Sequence, residues 1–164
     1  LALSLSPLHR PSFSPSASLT RHGSFSLSKL SMSLHISANF DAGNIIVNEV
    51  SGNEAQLSLR KEPFTEGTDN KSHSQWFYFK ASNLDTNAVT SFSIGGLLEC
   101  SYPSAWPGYK VAASYDRDQW FRIQETTYDE QKGILRWTVT PKQSQIFFAY
   151  FAPYSYERHM DLIA

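Results

Sequence analysis

At 164 residues the chain has room for one domain with a substantial core. Its 14 basic and 15 acidic residues nearly cancel, so no cationic surplus marks a nucleic-acid partner. A single cysteine, Cys100, excludes an internal disulfide framework and a multi-cysteine zinc site. No run of about 18 apolar residues is present to span a membrane as a helix.

Residues 1–33 differ in kind from the rest. Eleven of them are serine, three are basic (Arg10, Arg21 and Lys29) and none is acidic. That composition is the one found in plastid and mitochondrial transit peptides. It buries too little apolar surface to offset its ordering entropy, so a disordered leader is expected. Met32 is an alternative initiator, which would place residues 1–31 outside the folded protein. Residues 34–164 hold 11 basic and 15 acidic residues, and this mildly acidic balance argues further against a polyanion partner.

The body reads as a run of strands. Asn39 to Asn44 is a turn, built from Asn, Asp and Gly, which tolerate left-handed backbone angles. Ile45–Val50 is β-branched, Ala55–Arg60 alternates, and the Gly-containing link between them predicts a hairpin. Glu62 to His73 is a polar loop around Gly67. Gln75–Lys80 is apolar on both sides, which marks a central strand. Val89–Ile94 alternates again, and Gly95-Gly96 after it suggests a bulge or a close backbone approach.

Ser101 to Gly108 is a loop with two prolines. The next strand, Tyr109–Tyr115, aligns Tyr109, Val111, Ala113 and Tyr115 on one face. Asp116-Arg117-Asp118 turns the chain and Gln119–Ile123 returns it. Ile134–Thr140 aligns Leu135, Trp137 and Val139. The last strand starts at Ile146, is apolar on both faces, and stops by Pro153, which cannot donate to a ladder. About eight strands, with turn signals every 8–12 residues or so, predict an all-β fold, an antiparallel β-sandwich.

Catalytic chemistry needs convergent groups, and the sequence supplies none in local register. The histidines are His9, His22, His35, His73 and His159, and none forms a His-x-x-Glu pair. No phosphate-cradling glycine loop and no nucleophile elbow occurs. Cys100 has no neighbouring His or Lys to lower its pKa, and reads as a small buried residue at a strand end. No catalytic or metal-binding residue is therefore assigned, and no cofactor is expected within this chain.

Two features remain. Tyr102, Trp106, Tyr109, Tyr115 and Trp120 are either core and loop packing or a stacking row for sugars; the second reading makes a free-standing carbohydrate- or protein-binding module. Tyr154, Ser155, Tyr156, Glu157, Arg158 and His159 are either a solvated turn or an inter-domain contact, where paired charges fix orientation. Met160 to Ala164 is an apolar run that starts a helix without a closing cap, as expected of a chain handed on to a further domain.

Several segments together carry a resemblance. They are Ile36 to Asn44, Gln75 to Phe79, Tyr102-Pro103, Trp106 to Tyr109, Ala113 to Arg117, Trp120 to Arg122 and Phe148 to His159. In this order they resemble the N-terminal domain of the cytosolic carboxypeptidases, a subfamily of zinc metallocarboxypeptidases related to carboxypeptidase A. The resemblance covers residues 34–164. It implies a β-sandwich placed before a catalytic α/β domain, and zinc held by His-x-x-Glu and a distal His in that domain. None of those catalytic positions is found here. It further implies an accessory role: packing on the catalytic unit and helping to shape its mouth. The family trims C-terminal residues, often glutamates, from proteins such as tubulin. The implied partners are the catalytic domain and, through it, a protein or peptide substrate. The implied location is the cytoplasm, or a plastid or mitochondrion if residues 1–31 are a transit peptide.

Overall fold

The computed structural model describes residues 33–63 and 72–164. The expected disordered leader, bar Ser33, and the part of the polar loop around Gly67 fall outside the described residues. Within them are β1 (His35–Ser37), β2 (Ile46–Ser51), β3 (Glu54–Ser58), β4 (Tyr78–Ser82), β5 (Thr90–Gly95), β6 (Ala112–Ser114), β7 (Phe121–Arg122), β8 (Thr126–Asp129), β9 (Ile134–Val139), β10 (Gln145–Ala149) and one α-helix, α1 (Tyr156–Ile163).

The strands make two five-stranded sheets, ordered β1-β4-β10-β6-β7 and β2-β3-β5-β9-β8. The fold is the expected β-sandwich. Among the described residues the pairings are antiparallel except β3 with β5, which run parallel. Parallel neighbours need a crossover. Here the chain makes it by leaving β3 to form β4 in the opposite sheet before returning as β5.

Alternation decides what the sheets bury. Phe79, Ala81, Ile146, Phe148 and Ala113 line the first sheet's inner face, and Ala55, Leu57, Phe92, Ile94, Leu135 and Trp137 the second's; all are buried. The layers meet through aromatic rings. Phe148 lies 4.8 Å from Phe92 and 5.5 Å from Trp137, and Phe79 lies 6.2 Å from Phe92, centroid to centroid. Edge and tilted pairs at this range add about 0.5–1.5 kcal/mol each beyond the area they bury.

The strand count exceeds expectation by β1 and β8. The three residues of β1 and the four of β8 are too few to show a period, and they become strands by pairing with β4 and β9. The hairpin of β2 and β3 forms as read. The central strand begins at Tyr78 rather than Gln75, because the Gln75 and Trp76 amides donate to the Glu62 carboxylate, at 3.3 and 3.0 Å, instead of to a ladder. Gly95-Gly96 is neither a bulge nor a close approach. The strand ends at Gly95, a Cβ on either glycine would meet nothing within 4 Å, and Gly96 turns the chain at φ +75°. The irregularity lies instead between Val47 and Glu49 in β2.

Candidate functional site

The outer face of the first sheet carries a charged seat, built from the Asp116-Arg117-Asp118 turn. The Ser114 hydroxyl accepts the Arg117 N–H at 2.8 Å and donates to Asp116 at 3.0 Å. The Asp116 carboxylate in turn accepts the N–H groups of Asp118 and Gln119, at 2.9 and 2.8 Å. Those amides hold Asp116 below the ordinary aspartate range. Arg117 sits at φ +69°, a left-handed angle uncommon for a residue with a side chain, and the Ser114 and Asp116 bonds hold the turn in place.

From that turn the Arg117 side chain runs back over the sheet. Its guanidinium carbon lies 5.9 Å from the Phe40 ring centre and 5.8 Å from that of Phe147. Nε donates to the Tyr78 hydroxyl at 3.1 Å, and a terminal nitrogen meets Glu157 at 2.7 Å. The Glu157 contact raises the Arg117 pKa further, and burial raises that of Tyr78.

Glu157 belongs to α1, whose first turn rests on this seat. Ser155 is the N-cap, its hydroxyl accepting the Arg158 N–H at 3.3 Å. Asp41 accepts the Glu157 N–H at 3.2 Å, placing a carboxylate at the positive end of the helix. Arg158 reaches Asp118 at 3.5 Å. Between helix and sheet lies a cleft of about 400 Å³, lined by Tyr78, Arg117, Pro153, Glu157 and Asp161 among others.

The helix is therefore turned the opposite way from an ordinary surface helix, whose apolar stripe faces its own core. Its polar side, Glu157, Arg158 and Asp161, faces the sandwich. No residue of α1 is buried. Tyr156, Met160 and Ile163, one helical stripe, are 68%, 42% and 62% exposed, and Leu162 beside them is 74% exposed. Phe151, just upstream and 4.9 Å from the Trp76 ring, is also exposed. Half of the exposed large apolar side chains, Phe151, Tyr154, Tyr156, Met160, Leu162 and Ile163, thus fall at this end of the chain.

The segment singled out in the sequence divides in three. Ser155 is buried as the cap, Glu157 and Arg158 bind the sandwich itself, and Tyr154, Tyr156 and His159 are exposed, with the Tyr154 hydroxyl 3.2 Å from His159 Nδ1. The stretch is not a turn leading to a later helix: α1 starts at Tyr156 and Ser155 caps it. Sequence reasoning gave no site role to Asp41, Arg117 or Asp118. For Arg117 and Asp118 the only sequence signal is charge complementarity, Asp-Arg-Asp against Glu-Arg, across 40 positions, and Asp41 lies 116 positions from Glu157.

The aromatic row expected of a sugar-binding module does not form. Trp106 is 0% exposed, its indole N–H donating to Cys100 Sγ at 3.1 Å, and its ring packs edge-on against Tyr109 and Tyr150, each at 5.3 Å. Trp120 is half-buried against Tyr78, with its N–H on the Arg117 carbonyl. Cys100 is buried as expected, but after a 3₁₀ turn, Leu97–Glu99, rather than at a strand end.

Among the described residues no three His, Cys, Asp or Glu side chains come together to hold a metal ion. These residues offer no seat for a catalytic zinc, and no reaction step is assigned to them. No helix among them is long and apolar enough to cross a membrane.

The class the fold defines is a two-sheet β-sandwich that carries a short helix with its apolar stripe outward. The family model described as the cytosolic carboxypeptidase N-terminal domain matches residues 36–151, and the chain belongs to that family. An uncharacterized protein of Zymomonas mobilis is 42% identical over 134 residues, which is 81% of this chain and 32% of the relative. Among solved structures, a metallo-carboxypeptidase from Burkholderia cenocepacia superposes with a TM-score of 0.70 at 36% identity, over 80% of this chain and 32% of that one. A metallo-carboxypeptidase from Pseudomonas aeruginosa, solved in complex with (2-guanidinoethylmercapto)succinic acid, gives 0.69 at 35% identity, over 79% and 32%. The chain thus spans about a third of the length of the relatives it matches.

Proposed function

We propose that residues 34–164 form the N-terminal accessory domain of a zinc metallocarboxypeptidase. The domain docks on a catalytic domain through the outer stripe of α1 with Phe151 and Tyr154, and helps to shape the mouth of its active site. Zinc and the hydrolytic groups belong to that partner domain. Through it the parent protein removes C-terminal residues, glutamates included, from protein or peptide substrates. Its compartment is the cytoplasm, as in the family's name, or an organelle if residues 1–31 direct import.

The observation that carries this reading is the orientation of α1. A helix that presents charge to its own domain and Tyr156, Met160, Leu162 and Ile163 to solvent leaves its apolar surface for another body. The length of the relatives supports the same partner. Tyr154, Tyr156 and His159 are the contact residues on this reading. Ser155, Glu157 and Arg158 serve it by holding the helix.

The test is complementation. The two-thirds of the Burkholderia cenocepacia enzyme outside the match is produced together with this chain. Association is followed by analytical ultracentrifugation, and hydrolysis with a peptide ending in glutamate. A one-to-one complex with peptidase activity is expected, and Met160→Asp with Ile163→Asp should abolish it. Absence of a complex, or a complex indifferent to those substitutions, overturns the proposal.

A further inference from the structure

We infer that Arg117 is a positioning residue: it fixes the direction in which α1 leaves the sandwich, by charge rather than by apolar burial. The inference deepens the docking reading above and rests on it only for its biological consequence.

An eight-residue helix is too short to persist alone in water. None of its residues is buried. Among the described residues, the polar contacts that tie it to the sandwich fall in its first turn: Glu157 to Arg117 at 2.7 Å, Arg158 to Asp118 at 3.5 Å, and the Glu157 N–H to Asp41 at 3.2 Å.

Arg117 stands apart within this set because the sandwich has already placed it. Its backbone is held by Ser114, its guanidinium lies beside the Phe40 and Phe147 rings, and its Nε is committed to the Tyr78 hydroxyl. Of its two terminal nitrogens, Nη2 is the one that meets Glu157, at 2.7 Å. A planar fork held in this way fixes the orientation of a carboxylate partner, which a lysine ammonium on the same stem would not. The helix is thus set before a neighbouring domain meets it, which lowers the ordering cost of that encounter.

The electrostatics give a signature that simple packing would not. The paired side chains are between 35% and 78% exposed, so ions screen them. Hydrogen exchange of the α1 amides on the seconds scale, measured by mass spectrometry on the full chain, reads the latch directly. In the parent chain, exchange at 157–163 should quicken on going from 20 mM to 1 M sodium chloride. In Glu157→Gln, which alters an exposed residue and leaves the sheets intact, low-salt exchange should rise by about threefold or more, and most of the salt response should vanish. Arg117→Met should give the same local loss with the sheet amides unchanged.

If α1 exchanges equally in Glu157→Gln and the parent chain, or ignores salt in the parent, the inference fails. If Arg117→Met loosens the sheets as well, Glu157→Gln decides, because it cannot act through the core. The docking reading survives any of these failures, since it is judged by complex formation. Conversely, a held helix that binds nothing overturns docking and leaves the latch standing.

Discussion

Tyr109 and Tyr150 lie ring on ring with centroids 5.0 Å apart, and the Tyr109 hydroxyl donates to the Tyr150 carbonyl at 2.6 Å. This contact closes β10. The Tyr150 N–H still donates to the Phe77 carbonyl at 3.0 Å, but the Tyr150 carbonyl is taken up by Tyr109 and by Arg122, the latter at 3.2 Å. The chain therefore leaves the sheet in a defined direction, toward Pro153 and α1. Tyr109→Phe keeps the stacked ring and deletes the donor. It should lower the free energy of unfolding by about 1 kcal/mol, read by urea denaturation with an unchanged m-value. A loss near zero would mean that Arg122 suffices.

Stability should fall in alkali. Burial raises the phenol pKa of both Tyr78 and Tyr109 above the ordinary tyrosine value. Below about pH 10 both states keep these protons and the stabilisation is complete. Above it the unfolded chain releases protons that the folded chain retains, so the unfolded state gains and stability drops as pH rises. Thermal melts from pH 8 to 11 should show a decline setting in near pH 10, and Tyr109→Phe should make it shallower.

Gly43 should not accept alanine. A Cβ there runs into the carbonyl of Ala38, so the strain comes from backbone and not from a movable side chain. The turn carries Phe40, which packs edge-on against Tyr78 at 4.8 Å, and Asp41, which caps α1. Gly43→Ala should cost on the order of 1–3 kcal/mol in chemical denaturation and loosen α1 as well. A neutral result would show that the turn can shift without penalty.

Trp106→Ala should be among the most damaging changes, about 3–5 kcal/mol, because it empties a fully buried site and strands Cys100, Tyr109 and Tyr150 around the cavity. Tyr102→Ala, four residues earlier and 56% exposed, should stay within about 1 kcal/mol. Paired melting curves test the contrast. Similar losses at both positions would contradict the burial described here.

Leu162→Lys should leave the melting temperature within about 2 °C of the parent, since the side chain touches no core. It should also reduce self-association at high concentration, measured by light scattering, because it adds charge to the exposed apolar surface of α1. A large drop in melting temperature would mean that α1 contributes to the fold through its apolar side.

The sandwich was legible because alternation leaves little choice. Ala55 and Leu57, Phe92 and Ile94, Leu135 and Trp137 each repeat every second residue, and a period of two with one buried face specifies a strand and its inward side. Where elements were shorter than that signal, as in β1 and β8, only pairing with β4 and β9 made them strands. The aromatic residues were legible as a set but not as a place. Trp106 and Tyr102 share a loop, yet one is sealed in the core and the other stands in solvent.

The site divides along the same line. Local sequence was enough to mark residues 154–159 as dense in charge and hydrogen-bonding groups, but it put the helix start at Met160, where α1 begins at Tyr156. It did not reveal that Glu157 and Arg158 would turn inward, because their partners Arg117 and Asp118 lie 40 residues upstream. Period and propensity act between near neighbours, so the chain by itself determined its longer strands and its family likeness. Which side of α1 meets the sandwich depends on where a left-handed turn at Arg117 delivers one guanidinium, and folding alone brings that group within 2.7 Å of Glu157.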